Sequence, residues 1–379
     1  MGASVIGKFE PQIGNYVECL LTEGKIGICE GNIRLTDITS GCNTLQVEKG
    51  PCCDRFKMLL PYGGHSITWE VLFNSCYPEE PPDFIFGNDE QFFLPDLFNL
   101  VSLLEWDHTD PKSLLYVVQE LLDQYKSYQH NLIEAESRLK FEYQSIAEEL
   151  GKDAIEVHVM KKGQYKIGPI SFLIKLDVDF SRIPAYLTKD NPGEDSAVLL
   201  VNFSSSEGGR VTSQLYLSPR VEVALGGSAG LRIPSFPSNG CMIDYVPSIK
   251  TLLTNKVDQT CETYEKRKEY VSAFLSHYGR SVQEYDTESF SKLTFLFDWR
   301  NFSFLVSIDI PRSFPQDCPT FTFHSVYHEL NGLPYSMKKS TYPYSPRWKG
   351  TEMAERARAV ILETVEVFQQ NSIKEGSAT

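Results

Sequence analysis

A short proline-rich segment occurs twice in the sequence, and this repeat most strongly limits the folds that the chain can adopt. The first copy is YPEEPPDFIF and the second is FPQDCPTFTF, which aligns with it without a gap, Phe314 on Tyr77 and Phe323 on Phe86. Proline cannot donate to a strand ladder, and it keeps the preceding residue extended. Each copy therefore predicts a rigid corner, which we call the proline corner, leading into an alternating strand.

The sequence on both sides of each corner is repeated as well. Two alternating apolar runs joined by turn residues precede the corners, in DRFKMLLPYGGHSITWEVLFN and in LTFLFDWRNFSFLVSIDI. Trp106 and Trp348 then precede amphipathic helical patterns. We predict that segments 53–122 and 288–370 form the same α+β unit, an antiparallel meander of about four strands with the following helix packed on one face.

The region between the two copies lacks a proline corner. It contains strand-like runs at Ile170–Val178, Ala197–Ser204 and Gln214–Leu217, and then a helical pattern from Ser248 to Tyr278 whose charged string ETYEKRKEY is interpreted as a solvated face. Two interpretations stay open for this region: a third related module, or irregular connecting β structure. The predicted domains are an N-terminal one at 1–150, a central RWD-like or connecting β domain at 151–255 and a C-terminal one at 256–379.

One stretch without proline or glycine, Lys112–Leu150, would make about 58 Å of helix at 1.5 Å per residue. It is either two helices with a break, or one helix that extends beyond its domain and packs against a partner. On the second interpretation Leu132 and Leu139 contact that partner. Replacing both by aspartate would then weaken partner binding and leave the chain folded.

Charge and cysteine content limit the classes of partner. Thirty-six basic and fifty acidic residues give a net charge of −14, which disfavours nucleic acid, because phosphate neutralisation needs a basic face. No window approaches the roughly 20 apolar residues of a membrane span, so no membrane association is predicted. The nine cysteines form no C-x-x-C pair and predict reduced thiols in the cytosol or nucleus.

Enzyme-like motifs are incomplete. The string LGGSAG lacks the Gly-Lys-Ser/Thr ending of a phosphate loop. His324 and His328 lie four residues apart beside a strand pattern, without the glutamate of a zinc-protease helix. The sequence therefore predicts no metal site, no cofactor and no catalytic residue.

Hairpin, Y-P-x-x-P-P corner, strand, tryptophan and helix in this order resemble the ubiquitin-conjugating (E2) fold. Active members follow the corner strand with a His-Pro-Asn triplet and the cysteine that carries ubiquitin. Neither GNDEQFFLPDLFNLVSLLEW after Phe86 nor the segment between Phe323 and Trp348 contains that triplet or a cysteine. Without a thiolate there is no acyl transfer. The resemblance implies tandem inactive ubiquitin E2 variant (UEV/RWD-like) domains, with antiparallel meander sheets packed on helices.

Longer strings narrow the resemblance. With CCDRFKMLLPYGG, LYLSPRVEVALGGSAGL, KRKEYVSAFLSHYG and YPYSPRW in this order, the chain resembles the BRE family, adaptor subunits of the BRISC deubiquitinase assembly and of its nuclear DNA-repair counterpart. This implies a non-catalytic cytoplasmic and nuclear adaptor. It would join a zinc-dependent JAMM-family deubiquitinase and its Abraxas-type scaffold to a MERIT-type subunit, in assemblies that cleave polyubiquitin linked through lysine sixty-three.

Two other functions stay open. The chain could be a free-standing UEV-type receptor for ubiquitin or proline-containing peptides, or an active conjugating enzyme. Related UEV domains grip short proline-containing peptides near the position of YPYSPRW. Here Tyr342, Tyr344 and Pro346 are the predicted contacts to a tail of the MERIT-type subunit. Trp348 is interpreted as filling space under the following helix.

Overall fold

The computed structural model describes residues 6–24, 27–28, 32–41, 52–87, 93–161, 167–189, 193–206, 209–227 and 231–378. The α-helices in this part of the chain are α1 (Pro11–Glu23), α2 (Val101–Leu104), α3 (Ser113–Glu134), α4 (Ser137–Leu150), α5 (Ala185–Thr188), α6 (Pro219–Ala224), α7 (Met242–Tyr278) and α8 (Gly350–Glu375). The strands are β1 (Arg34–Thr39), β2 (Arg55–Tyr62), β3 (His65–Leu72), β4 (Asp83–Phe86), β5 (Ile155–Lys161), β6 (Ile167–Lys175), β7 (Ala197–Phe203), β8 (Val211–Leu217), β9 (Val282–Tyr285), β10 (Lys292–Trp299), β11 (Phe302–Asp309), β12 (Thr320–Leu330), β13 (Leu333–Lys339) and β14 (Ser377–Ala378).

The chain divides into two compact units. Unit 1 comprises Met1–Val178, Asp195–Ser218 and Arg232–Leu252, and unit 2 comprises Asp179–Glu194, Pro219–Leu231 and Leu253–Thr379. Unit 1 holds two antiparallel sheets, ordered β1-β2-β3-β4 and β5-β6-β7-β8. Unit 2 holds one antiparallel sheet, ordered β13-β12-β11-β10-β9, with β14 paired to β12. The predicted α+β class with antiparallel sheets is confirmed.

The predicted repeat is present in the strand pairing itself. In unit 1, Arg55 pairs with Leu72 and Tyr62 with His65 across the hairpin, and Leu72 pairs with Asp83 across the corner. In unit 2 the corresponding pairs are Lys292 with Asp309, Trp299 with Phe302, and Asp309 with Thr320. Every position is shifted by the same number of residues, so hairpin, corner and strand have one register in both units. The two corners differ in burial, since Tyr77 is exposed and Phe314 is buried.

Each of the repeated sheets packs on helices through large aromatic side chains. In unit 1 the core joins α1 and α3 to β2 and β3, with Trp69 and Tyr125 among its fully buried residues. In unit 2 the core joins the end of α7 and the length of α8 to β10–β12, with Phe274, Phe295 and Phe368 at its centre. Both cores have the predicted order of meander sheet and packed helix.

The central region contains a strand that the sequence pattern did not reveal. The three predicted runs correspond to β6, β7 and β8, but β5 precedes them and completes a four-stranded sheet. Residues 155–159 of β5 are buried on both faces, so the strand lacks the alternation on which the prediction relied. The helix α7 begins at Met242 rather than Ser248, where the Met242 N–H donates to the buried Glu142 carboxylate at 2.7 Å.

The stretch Lys112–Leu150 forms two helices, so the single-helix interpretation is wrong. Between α3 and α4, Glu136 is extended, with φ −109° and ψ 104°. One extended residue ends the i to i−4 hydrogen-bond ladder without proline or glycine. Leu139, on α4, is 0% exposed, and Leu132, on α3, is half-buried.

The sequence analysis made one prediction about membrane association and one about the state of the cysteines, and the described residues can be compared with both. No helix among them is long and apolar enough to cross a bilayer. Cys19, Cys52, Cys53, Cys76, Cys241, Cys261 and Cys318 are free thiols.

Candidate functional site

Residues 93–104, which lie after the first proline corner and its strand, make hydrogen bonds to α3 and pack into the core of unit 1. Phe93 and Leu100 are buried in the core of unit 1. The Asp96 N–H donates to Gln124 Oε1 at 2.7 Å, and Gln124 Nε2 donates back to the Asp96 carbonyl at 3.0 Å. The Ser102 hydroxyl donates to Glu120 Oε1 at 2.9 Å. Two apolar anchors and two polar clamps therefore fix this segment.

On the same segment, five large apolar side chains face solvent, and we call them the apolar stripe: Leu94, Leu97, Phe98, Val101 and Leu104. Leu94 is 88% exposed and Phe98 is 89% exposed. Leu97 and Phe98 belong to the 3₁₀ turn Leu97–Asn99, and Val101 and Leu104 belong to the helix α2. Single exposed leucines are ordinary, but five exposed large apolar side chains close together in the sequence of one anchored segment indicate an interaction site.

The sequence around the apolar stripe is acidic. From 58 to 111 the chain has ten aspartates and glutamates and no lysine or arginine. Asp96 and Glu105 lie beside stripe residues in the sequence. An apolar surface with a negative surround is complementary to a partner segment that combines apolar anchors with lysine or arginine. Sequence reasoning missed this site, although the absence of basic residues over this range was a visible signal.

The predicted site residues Tyr342 and Tyr344 lie at the second proline corner, in unit 2. The Tyr342 hydroxyl donates to the Pro319 carbonyl at 2.7 Å, and the Tyr344 hydroxyl donates to the Pro315 carbonyl at 2.7 Å. Burial raises the pKa of both phenols. The two rings lie 6.3 Å apart. Both tyrosine side chains therefore connect the YPYSPRW loop to the second proline corner of their own chain.

The first proline corner also accepts a hydrogen bond from an aromatic side chain. There the Trp106 indole Nε1 donates to the Glu79 carbonyl at 3.1 Å. In each unit, an aromatic residue located between the corner strand and the next long helix satisfies a carbonyl of the proline corner. Proline-rich segments have few N–H donors of their own, so these aromatic donors help to hold the corners in place.

Exposed residues of the YPYSPRW loop lie between and after the two half-buried tyrosines, and Pro343 is one of them. Pro346 and Arg347 are exposed, whereas Trp348 is half-buried, packs against the core of unit 2 and lies under the Arg356 guanidinium, 5.1 Å from its ring centroid. These residues line a groove of about 460 Å³ together with Lys266 and Glu269 of α7. Of the three residues predicted in this loop, the structure brings Tyr342 and Tyr344 together at the second proline corner. Pro346 lies apart from them, at the groove.

The two remaining predicted contacts, Leu132 and Leu139, lie in unit 1 on different helices. Half-buried Leu132 has accessible surface to offer a partner, whereas Leu139 has none. Partner binding by these two residues, and by the three residues of the C-terminal loop, stays a prediction.

Removing the tyrosine hydroxyls is expected to destabilise unit 2 modestly. Tyr342→Phe or Tyr344→Phe leaves a corner carbonyl without its donor, and each is expected to lower the free energy of unfolding by about 1 kcal/mol. Chemical denaturation measures this change. Tyr285→Phe is the control, because the Tyr285 hydroxyl is partly exposed and makes no hydrogen bond among the described residues. A Tyr342→Phe variant as stable as this control would contradict a stabilising role for the hydrogen bond from the Tyr342 hydroxyl to the Pro319 carbonyl.

The two histidines singled out in the sequence lie within β12, which extends beyond the predicted strand that they were expected to follow. His328 Nδ1 hydrogen-bonds the Ser372 hydroxyl at 2.8 Å, and burial lowers the pKa of His324. Within the described ranges, no three histidine, cysteine, aspartate or glutamate side chains come together as a possible metal site.

Comparison with known proteins gives the family of the chain. The family model described as "Brain and reproductive organ-expressed protein (BRE)" matches residues 7–329. The protein named "BRISC and BRCA1-A complex member 2" from Branchiostoma floridae is 48% identical over 375 residues, covering 98% of both chains. Its namesake from Danio rerio is 46% identical over 380 residues, covering 98% of this chain and 97% of the relative. Both the sequence resemblance and these full-length matches lead to one conclusion: the chain belongs to the BRE family.

Proposed function

We propose that the chain is a non-catalytic adaptor subunit of a deubiquitinase assembly that cleaves polyubiquitin linked through lysine sixty-three. The observation that carries the proposal is the full-length similarity to two relatives that are named as members of BRISC and BRCA1-A complexes. In this proposal the partners are a JAMM-family enzyme, its Abraxas-type scaffold and a MERIT-type subunit, and the assemblies are cytoplasmic and nuclear.

The repeated register supports assigning both ends of the chain to UEV-type domains. Each end combines hairpin, proline corner, strand and packed helix. After the first corner strand, where an active conjugating enzyme has its cysteine, this chain has the apolar stripe. Exposed Cys76 precedes the first corner strand, and the Cys318 thiol donates to the Ser340 carbonyl at 3.3 Å. The catalytic segment of an enzyme is thus replaced by a surface suited to binding.

We assign the two ends of the chain to different partners. The apolar stripe of unit 1, with its acidic surround, is proposed as the contact for the Abraxas-type scaffold. The groove beside Pro346 and Trp348 in unit 2 is proposed to receive the proline-containing tail of the MERIT-type subunit, since half-exposed aromatic and proline surfaces suit extended peptides.

Charging the apolar stripe is expected to break the scaffold contact. In Phe98→Asp with Leu104→Asp, both altered side chains are exposed in the free chain, so folding is expected to be unchanged. A carboxylate buried in the interface is costly, and we expect co-purification with the scaffold to fall by at least about tenfold. Affinity purification of the tagged chain co-expressed with the scaffold and MERIT-type subunits measures both contacts at once.

The matched control is Phe141→Asp with Leu362→Asp. Phe141 is 53% exposed and Leu362 is 45% exposed, and neither belongs to the apolar stripe. The control is expected to retain both partners, and the stripe variant is expected to retain only the MERIT-type subunit. Full retention of the scaffold by the stripe variant would place the scaffold contact elsewhere.

The alternatives predict different results for the isolated chain. A free-standing receptor would bind ubiquitin or proline-containing peptides measurably without partner subunits. An active enzyme would form a reductant-sensitive thioester with ubiquitin in the presence of activating enzyme and ATP. We expect neither, and a thioester would overturn the adaptor proposal.

A further inference from the structure

A cavity of about 850 Å³ lies in unit 2, against one face of α7. Lys256, Thr260, Thr263 and Arg267 all line it and follow one another at spacings of three or four residues, as neighbours along one helix face do. The opposite walls come from α5, α6 and the segments 286–291 and 312–316. Its volume is in the range of small-molecule sites, about 300–1,000 Å³.

The cavity contains a buried guanidinium, that of Arg267, which has no carboxylate partner among the described residues. Arg267 is only 7% exposed. Its Nη2 donates to the Tyr186 hydroxyl at 2.8 Å, while its buried Nε has no hydrogen-bond partner. In the part of the chain that the structure describes, no carboxylate oxygen lies within 4.0 Å of this guanidinium. Because a buried charge is costly unless it is paired, this arrangement indicates a site for an anion.

The carboxylates of the lining are engaged elsewhere or face solvent. The Asp286 carboxylate accepts hydrogen bonds from the Ser289 and Ser291 hydroxyls. Burial raises the pKa of Asp286, but these hydrogen bonds outweigh burial and hold the pKa below its ordinary value. Glu288 forms an ion pair with Lys189 at 2.7 Å, and Glu262 is exposed. None of them neutralises Arg267 by direct contact.

Three further cations line the same cavity: Lys256, Lys266 and Arg312. Together with Arg267 they give four positive side chains against three carboxylates in the lining, Glu262, Asp286 and Glu288, and Glu288 is paired with Lys189 from outside the lining. The lining therefore keeps a net positive charge, which a phosphate monoester or a diphosphate, with two or more negative charges, would balance. The guanidinium fork also matches the oxygens of a phosphate group. Leu187, Leu225 and Phe314 add apolar wall for an organic group.

We propose that this cavity binds a small organic phosphate, with Arg267 as the buried residue that pairs with the phosphate group. The small side chains of Thr260 and Thr263 leave space between Lys256 and Arg267 for the bound anion. Every residue that carries the proposal belongs to unit 2, and Lys266 and Phe314 also line the groove beside Pro346.

The test is calorimetry on the full-length chain in phosphate-free buffer, with pyrophosphate, adenosine monophosphate and adenosine as probes. We expect both phosphates to bind and adenosine, which lacks a phosphate, to show no binding. Arg267→Met keeps the length of the side chain and removes its charge. It is expected to weaken binding of both phosphates by at least about tenfold. Arg358→Met, at an exposed position of α8, is expected to bind like the wild type.

A second measurement separates binding from folding. Without ligand, Arg267→Met removes an unpaired buried charge, so its thermal midpoint is expected to equal or exceed that of the wild type. If this variant does not fold, Lys256→Met with Arg312→Met decides instead, with tenfold weaker binding supporting the site and unchanged binding overturning it. Undiminished phosphate binding by folded Arg267→Met, or no phosphate binding by the wild type, would also overturn it.

Discussion

Replacing Leu139 by aspartate is expected to abolish the cooperative folding of unit 1. Leu139 is 0% exposed on α4. Removing its buried side chain costs about 2–5 kcal/mol, and burying a carboxylate in its place adds several kcal/mol more. Since a domain is stable by only about 5–15 kcal/mol, the sum approaches the whole stability. The loss of partner binding in such a variant would then follow from unfolding.

Circular dichroism during heating tests this expectation. Leu139→Asp is expected to lose the transition of unit 1, whereas Leu132→Asp, at a half-buried position on α3, is expected to keep it with a lower midpoint. The single variants therefore separate the loss of folding expected for Leu139→Asp from the milder effect expected for Leu132→Asp, which the double aspartate variant would combine. If Leu139→Asp melts like the wild type and loses only a partner, then the leucine is accessible in solution and its predicted role as a contact stands.

The repeated hairpin and corner were predictable because they depend on local chemistry. Proline restricts its own backbone and that of the preceding residue, and alternating apolar residues fix which face of a strand is buried. With the same residue types at the same spacings, the register of β2–β4 recurs in β10–β12. A one-residue slip in either copy would turn every apolar side chain of the strand to solvent.

Other features depend on contacts between distant parts of the chain. No local signal marked the extended Glu136 between α3 and α4. The burial of β5 on both faces hides the period of two that identifies a strand. Charged ETYEKRKEY gave the pattern of a solvated helix face, yet Arg267 within it is buried because α5 supplies Tyr186 as a cover. Burial of a charged residue is decided by its neighbours in space.

The tyrosines of the C-terminal loop show the same limit. Exposed aromatic residues beside prolines are typical of peptide-binding surfaces, and the pattern YPYSPRW predicted contacts on that basis. In the structure the hydroxyls of Tyr342 and Tyr344 donate to carbonyls of the proline corner in their own chain, and partner contact by these residues stays a prediction. Sequence gave no sign of this pairing, because Tyr344 and Pro315 lie 29 residues apart.

Glu156 on β5 is the second residue at which a substitution is expected to have a large effect. Its side chain is buried, and its carboxylate accepts the backbone N–H of Ile28 at 2.7 Å and of Gly63 at 2.9 Å. Gly63 is in the β2–β3 turn, so one carboxylate of the central sheet fixes the N-terminal hairpin. Glu156→Ala leaves two donors unsatisfied, at about 1–3 kcal/mol each, and is expected to lower the free energy of unfolding by about 2–6 kcal/mol.

The pH dependence of stability gives an independent test of this residue. Burial raises the pKa of Glu156 above its ordinary value, and the two backbone hydrogen bonds offset only part of that effect. The folded chain then binds more protons than the unfolded chain between the ordinary and the raised pKa. The contribution of Glu156 to stability is therefore largest below the ordinary pKa, and it falls as pH rises through this window.

Comparing wild type with Glu156→Gln isolates this titration, because other groups such as Glu142, whose pKa burial also raises, are common to both proteins. The stability advantage of the wild type over Glu156→Gln is expected to shrink as pH rises from the ordinary pKa of a glutamate through the raised pKa of Glu156, measured by urea denaturation at several pH values. Exposed Glu149→Gln serves as the control for a glutamate-to-glutamine change at the surface. A pH-independent difference between wild type and Glu156→Gln would mean that Glu156 titrates alike in folded and unfolded chains, which contradicts the effect attributed here to its burial.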